Sequence, residues 1–286
     1  MQLQSSFISI NNVTLHVKTA GHPASPAILF LHGFPSFWYS WQLQIDSFSN
    51  QNFYLIVPDQ RGYNESSKPK QVGDYRLKTL VEDMVQLLTA LNIKQAHIVA
   101  HDWGGIVAWA LIKKYPHLFI KVVIVNAPYL PAYSKFSFAQ LFRSWYVYFF
   151  QIPLLPQWLL ARNQFELLAR ALLRTSLHGT FSEADINIYK QAWQKEGSVK
   201  AMINWYRALM KFSGDAKEIF GQRLPVKIPV LALWGNRDAF LRKESGICPA
   251  KHCTNFRMKV YNDATHWLPI EKSKEVNKEI ENFFAS

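Results

Sequence analysis

A single acid stands where a strand turns into a helix. In Ala96-His97-Ile98-Val99-Ala100-His101-Asp102-Trp103-Gly104-Gly105, an apolar, β-branched run leads to one carboxylate flanked by small residues, and residues 106–114 then read as a helix. Ala100, Gly104 and Gly105 allow an abrupt turn that forces residue 102 into a strained conformation, its side chain exposed at the strand end. Such a turn usually presents a serine. A serine that attacked an alkyl carbon would leave an ether that no histidine–water pair can cleave. A carboxylate leaves an ester, and water can then attack its carbonyl and free the enzyme. Asp102 therefore points to displacement at carbon, either epoxide opening or carbon–halogen cleavage. Asp also caps helices without doing chemistry, so the motif takes its meaning from the residues that accompany it.

The elements around it alternate. Residues 7–10 and 13–19 read as a hairpin turning on Asn11-Asn12. Apolar runs at 27–31, 53–57, 122–125, 230–235 and 256–261 read as strands, and 38–48, 77–91 and 271–284 as helices. This order predicts a mostly parallel central sheet with helices on both faces. The pattern breaks between 129 and 221, a helical stretch rich in aromatics such as Trp145, Tyr146, Tyr148, Trp158, Trp193 and Trp205. The expected division is a core over 1–128 and 222–286 with a helical cap inserted over 129–221.

Two further residues fall at strand ends, where open parallel sheets place their sites. Asp238 follows the strand ending at Gly235, and His266 lies in the loop before the last helix. Nucleophile, acid and histidine then occur in the chain order of an α/β-hydrolase triad. Asp238 would orient the imidazole, and His266 would act as base toward water, since a carboxylate nucleophile needs no deprotonation. After the strand 27–31, His32-Gly33-Phe34-Pro35 bends the backbone and can aim an N–H into a cavity, one half of an oxyanion hole.

Composition excludes several classes. The chain of 286 residues is 49% hydrophobic, 15% aromatic and 18% charged, which describes a folded domain with apolar pockets rather than a disordered one. The formal charge of +12 comes from scattered Lys and Arg, without a basic tract or a nucleic-acid motif, so no nucleic-acid partner is expected. No apolar run is long enough for a spanning helix, so stable membrane insertion is not expected. Cys248 and Cys253 lack zinc-site spacing and read as free thiols. With no signal peptide at the N-terminus, the expected compartment is the cytoplasm.

The combination of His32-Gly33-Phe34-Pro35, Arg61-Gly62-Tyr63, His101-Asp102-Trp103-Gly104-Gly105, Asn204-Trp205-Tyr206-Arg207, Gly235-Asn236-Arg237-Asp238 and Thr265-His266-Trp267 resembles the epoxide hydrolases of the α/β-hydrolase fold. The resemblance spans nearly the whole chain. It implies conversion of small apolar epoxides to vicinal diols through an aspartyl ester, without a metal or organic cofactor, by a monomer or homodimer. It implies two cap tyrosines that hold the epoxide oxygen: Tyr206, from the Asn-Trp-Tyr-Arg match, and Tyr146, with Tyr148 as its close competitor. It places the oxyanion hole at the N–H groups of Phe34 and Trp103, and substrate against Trp103, Trp267, Phe34 and Trp205. Asn64 and Ala100 depart from the glycines common at those positions, and both keep the turn accessible. Haloalkane and haloacid dehalogenases share the Asp nucleophile and are the alternative. Phe34 cannot supply the halide donor that haloalkane dehalogenases often carry there, and Trp103 stands where fluoroacetate dehalogenases tend to have arginine.

Overall fold

The computed structural model describes residues 3–133, 138–221 and 224–286. β1 (Gln4–Ile10) and β2 (Val13–Ala20) form the expected hairpin, with Asn11 and Asn12 in the left-handed region. β3 (Ala27–Leu31) is followed by α1 (Gln42–Phe48) and β4 (Tyr54–Pro58). Next come α2 (Leu77–Ala90), β5 (Ala96–His101), α3 (Trp103–Lys114) and β6 (Phe119–Val125). The strands join in one eight-stranded sheet with β7 (Val230–Gly235) and β8 (Phe256–Tyr261), in the order β1-β2-β4-β3-β5-β6-β7-β8. The β1·β2 and β2·β4 pairs are antiparallel and the rest are parallel.

The buried strands have two apolar faces, and alternate residues serve each. Leu29, Leu31, Ile98 and Ala100 face one core with α2 and α3. Ile28, Phe30 and Val99 face the other, with Ile45 and Phe48 of α1 and Val276 and Ile280 of the closing helix. The closing helix expected over 271–284 is α12 (Ser273–Ala285), preceded by a separate short helix, α11 (Leu268–Glu271). Residues 38–48 divide into a 3-10 turn over Trp38–Trp41 and α1.

Between β6 and β7 the described residues contain helices and no strand. They are α4 (Leu130–Tyr133), α5 (Phe138–Arg143), α6 (Trp145–Phe149), α7 (Leu155–Thr175), α8 (Glu183–Trp193), α9 (Ser198–Lys211) and α10 (Ser213–Phe220). Backbone at 162–165 departs from helical angles and kinks α7. Indole and phenol groups tie this layer to the sheet side: Trp193 Nε1–H donates to the Pro35 carbonyl at 2.7 Å, Trp205 Nε1–H to the Arg61 carbonyl at 2.9 Å, and Tyr39 Oη–H to Asp185 at 2.7 Å. Arg76 donates to Asp215 Oδ2 of α10 at 3.0 Å. Among the described residues no helix is long and apolar enough to cross a membrane.

The crossing of β5 into α3 depends on close backbone approach. A Cβ at Gly104 would stand 2.2 Å from the Leu31 carbonyl oxygen, a fixed backbone atom of β3 that cannot rotate away. Gly104→Ala should therefore lower unfolding free energy by about 1–3 kcal/mol, the usual range for overpacking a filled core. Urea denaturation checks this; a loss within experimental error would show that the strand–helix crossing tolerates more separation than the packing implies.

Candidate active site

The helix expected from residue 106 starts at Trp103, which leaves Asp102 as the residue between β5 and α3. Its backbone sits at φ +52° and ψ −119°, a strained region for a side-chain-bearing residue. The strain turns the carboxylate to the carboxyl ends of the parallel strands. There Oδ1 accepts the Phe34 N–H at 2.8 Å, and the Trp103 N–H also donates to the carboxylate. A Cβ on Gly33 would lie 2.3 Å from both Asp102 Cβ and Oδ1, so glycine at 33 is what lets the two chain segments meet. The segment 32–34 is held from behind. His32 accepts the Gln60 N–H on Nε2 at 3.0 Å, and its Nδ1–H faces the Gly33 carbonyl at 3.1 Å. Burial pushes the His32 pKa down to about 4, against the field of Asp59, so the ring stays neutral and keeps this pattern.

His266 and Asp238 arrive from the far side of the sheet. His266 Nδ1 lies 2.8 Å from Asp238 Oδ2, and His266 Nε2 lies 3.8 Å from Asp102 Oδ2. The first distance is a charge-assisted hydrogen bond and the second is longer than one. The imidazole is thus oriented by one carboxylate and turned toward the other. Asp238 is itself fixed: its Oδ1 accepts the N–H groups of Phe240 and Leu241 at 2.7 and 2.9 Å, and its Oδ2 accepts the Asn126 amide at 2.7 Å. Asn126 directly follows β6, with its backbone at φ +40° and its Oδ1 accepting the Gly235 N–H at 2.9 Å. On the other side of the imidazole, His101 Nε2–H donates to the His266 carbonyl at 2.9 Å.

Electrostatics separate the roles. Burial raises the Asp102 pKa, while the charge of His266 and the N–H groups of Trp103 and Phe34 hold it back. Burial works to lower the His266 pKa, but Asp238, as charge and as acceptor, outweighs it with help from Asp102 and Glu271, and the value rises above the usual 6.5. Burial, then the charge of His266, drives the His101 pKa far down, so His101 remains a neutral donor.

A cavity of about 190 Å³ opens above Asp102. Tyr146 of α6 and Tyr206 of α9 line it opposite the sheet, with ring centroids 5.8 Å apart. Burial, followed by the fields of Tyr146 and Asp102, raises the Tyr206 pKa well above its ordinary value, which keeps the phenol protonated. Phe34, Trp267 and Phe240 form parts of the wall. Tyr148 is exposed and lines a different depression, beside Leu130 and Met210.

Two expected substrate contacts are not part of the wall. Trp205 is 1% exposed, with its N–H committed to the Arg61 carbonyl and its ring against Tyr63 and Trp103. The Trp103 indole packs edge-on against Tyr206 at 5.0 Å. Trp103 braces Tyr206 and Trp205 in turn braces Trp103; helical periodicity on α9 points Trp205 away from the face that presents its neighbour. Sequence reasoning missed Asn126 and Phe240. Asn126 closes an apolar strand beside the one that leads to Asp238, and that polar end was a readable signal. Phe240, packed on His266 at 5.1 Å and Tyr146 at 5.7 Å, carries no comparable mark. Among the described residues no group of three or more His, Cys, Asp or Glu could hold a metal ion.

A parallel sheet bearing an Asp–His–Asp set at its carboxyl end, under an inserted helical layer, defines a hydrolase of the α/β class. The chain belongs to the α/β hydrolase fold family, which matches residues 26–273. It is 35% identical to the AB hydrolase superfamily protein YfhM of Bacillus subtilis, over 96% of each chain. It is 32% identical to Epoxide hydrolase 2 of Caenorhabditis elegans, over 97% of this chain and 79% of that protein. Among solved structures, a mutant epoxide hydrolase from Bacillus megaterium, complexed with its product, superposes with a TM-score of 0.88 at 30% identity, covering 98% of this chain and all of that one.

Gly33→Ala should displace the Asp102 carboxylate while leaving the sheet intact. A misplacement of about 1 Å typically costs about 10²-fold in rate. The expected outcome is that loss in turnover with a melting temperature within a few degrees of the parent, read by steady-state kinetics and circular dichroism. Undiminished turnover would mean that the carboxylate does not need this approach.

Proposed function

We propose that the protein is an epoxide hydrolase that opens small apolar epoxides to vicinal diols through an ester on Asp102. The observation that carries this reading is the convergence of Asp102, Tyr146 and Tyr206 on one apolar cavity, nucleophile below and phenols above. Its homology to proteins named epoxide hydrolases supports the same chemistry.

The steps follow from the geometry. Asp102 Oδ1 is held by the Phe34 N–H, so Oδ2 is the oxygen free to attack an epoxide carbon from the sheet side. The opened oxygen develops the charge of an alkoxide, whose basicity approaches that of hydroxide; a phenol, ordinarily near pKa 10, is protonated at neutral pH, and burial raises Tyr206 further, so both phenols stand in the donor form. Tyr146 and Tyr206 supply that proton and grip. In the second step His266, oriented by Asp238, takes a proton from water as it attacks Asp102 Cγ. The oxyanion forms on Oδ1, which already accepts the Phe34 N–H, with the Trp103 N–H also directed at the carboxylate, a contribution of about 10²–10³-fold for one such donor. No step calls for a metal or organic cofactor. Dehalogenation fits less well: the Phe34 side chain cannot donate to a halide, and the Trp103 indole is packed against Tyr206 and Trp205. The division into core and cap at 129 and 221 belongs to this reading, with the cap supplying both phenols. Cys248 and Cys253 are buried and not disulfide-bonded, which suits a reducing compartment such as the cytoplasm.

His266→Gln should alkylate but not release product. Intact mass after exposure to an aryl epoxide should rise by one substrate mass, mapped to the peptide holding Asp102; an adduct elsewhere would overturn the nucleophile assignment. In the parent, ester hydrolysis requires neutral His266. As pH falls through its raised value, above 6.5, hydrolysis should slow before alkylation does. Stopped-flow tryptophan fluorescence should therefore show more accumulated ester at the lower pH, and equal accumulation across the range would contradict a histidine base.

Tyr146→Phe and Tyr206→Phe should each slow alkylation, within the roughly 10²–10⁴-fold range of general-acid assistance. The double variant should be nearly inactive on epoxides yet melt within a few degrees of the parent. Single-turnover alkylation at the parent rate would reduce the tyrosines to packing and remove the main support for epoxide opening.

A further inference from the structure

Ser5 of β1, His16 of β2 and Asp59 just past β4 stand in line across three neighbouring strands, apart from the residues that line the Asp102 cavity. His16 Nδ1 lies 2.6 Å from Asp59 Oδ2, and Ser5 Oγ lies 2.8 Å from His16 Nε2. Asp59 is fully buried; its Oδ1 accepts the Trp38 N–H at 3.0 Å, and its Oδ2 accepts the Asn64 amide at 2.8 Å as well as His16. The Asp59 carboxylate faces Nδ1, and Nε2 is the ring nitrogen that meets the Ser5 hydroxyl.

Strand register creates this row. In the β1·β2 ladder Ser5 pairs with Lys18 and Phe7 with His16, so these four side chains share one face of the hairpin. Phe7 lies against the His16 ring at 5.2 Å, and Lys18 Nζ stands 4.9 Å over the Trp38 ring. Ser5 is exposed, while His16 is 4% exposed. The hydroxyl therefore meets solvent and its base does not.

We propose that Ser5, His16 and Asp59 form a second nucleophilic site, one that takes the acyl group of small aryl esters and hydrolyses it. Ser5 Oγ forms a bond to the ester carbonyl carbon as its proton passes to His16 Nε2, and Asp59 holds the resulting imidazolium. The carbon–phenol bond breaks, and the phenol oxygen leaves with the proton from His16. Water then gives a proton to Nε2 and attacks the acyl-serine; the carboxylic acid departs, and the proton returns to Ser5. Lys18, opposite Ser5, offers positive charge to the carbonyl oxygen, and Phe7 and Trp38 flank the aryl group. The site uses none of the residues that open epoxides.

A fluorophosphonate probe tests the nucleophile, because its phosphorus–fluorine bond breaks as the serine oxygen bonds to phosphorus and the proton leaves with fluoride. Ser9 is the internal control: it lies on the same strand and face, but its hydroxyl meets Thr14 Oγ1 at 3.3 Å and no imidazole. Peptide mapping of the treated protein should show Ser5 labelled on the order of 10²-fold faster than Ser9, as general-base assistance implies. In an Asp102→Asn background, which excludes acyl transfer to the cavity carboxylate, Ser5→Ala should abolish turnover of nitrophenyl acetate. Ser5→Ala with Asp102 intact should leave epoxide turnover unchanged. Labelling of Ser5 at the rate of Ser9, or nitrophenyl acetate turnover unaffected by Ser5→Ala, would overturn the proposal.

Discussion

The backbone of Asp102 at φ +52° is the constraint on which the rest of the structure depends. A conformation of this kind costs about 1–3 kcal/mol and persists where its surroundings over-determine it. Here they do so from both chain directions. β5 is buried on every residue, α3 starts at Trp103, and the strand β3 runs so close that position 104 has no room for a side chain. Relaxing the turn would require moving β3 or α3 out of a filled core. The strain is therefore carried by packing, and its product is a carboxylate aimed at the N–H groups of residues 34 and 103 before any substrate arrives.

Charge placement follows from that turn. Burial of a carboxylate favours its neutral form, and a neutral Asp102 would be a poor nucleophile. The N–H groups of Phe34 and Trp103 and the nearby imidazole counter the burial. The same imidazole is given its orientation by Asp238, which takes donors from Phe240, Leu241 and Asn126. His32 and His101 are as deeply buried but have no carboxylate bonded to them, and burial keeps both neutral as hydrogen-bonding struts. Three buried histidines in one region thus hold different protonation behaviour because of what each nitrogen faces.

The helical layer completes the site by a different kind of force. Its cavity wall is mostly aromatic and aliphatic, so water is replaced by surfaces that cannot hydrogen-bond, and the few polar groups there act in a low-dielectric setting. Tyr206 is held by the edges of Trp103, Phe34 and Phe150, at centroid distances of 5.0–5.4 Å. The layer is fastened to the sheet by hydrogen bonds from Trp193, Trp205 and Arg76, and by Glu271. The Glu271 carboxylate accepts the Leu177 N–H beyond α7 at 2.8 Å and the Thr265 N–H beside His266 at 2.7 Å. One carboxylate therefore links the helical layer to the loop that holds His266.

Much of this arrangement was legible in the chain itself. The periodicity of apolar residues marks the buried strands, and small residues around Asp102 mark the sharp turn, because both are local consequences of backbone geometry and burial. The order Asp102, Asp238, His266 follows from strand ends, which are also local. Where a ring points was not legible. Trp103 and Trp205 sit beside Asp102 and Tyr206 in the chain, yet the Trp103 indole packs on Tyr206 and the Trp205 indole on Trp103 and Tyr63, while Tyr146 enters the cavity and Tyr148, two residues on, faces outward. Asn126 and Phe240 reach Asp238 and His266 only because separate strands end side by side. The row of Ser5, His16 and Asp59 likewise exists only once register sets β1 against β2 and β2 against β4. Local sequence determines which segments are strand, helix or turn, since backbone sterics and solvent act on each residue in place. Direction across the packed interior belongs to the tertiary structure, because it is settled by which side chains from distant segments compete for the same volume.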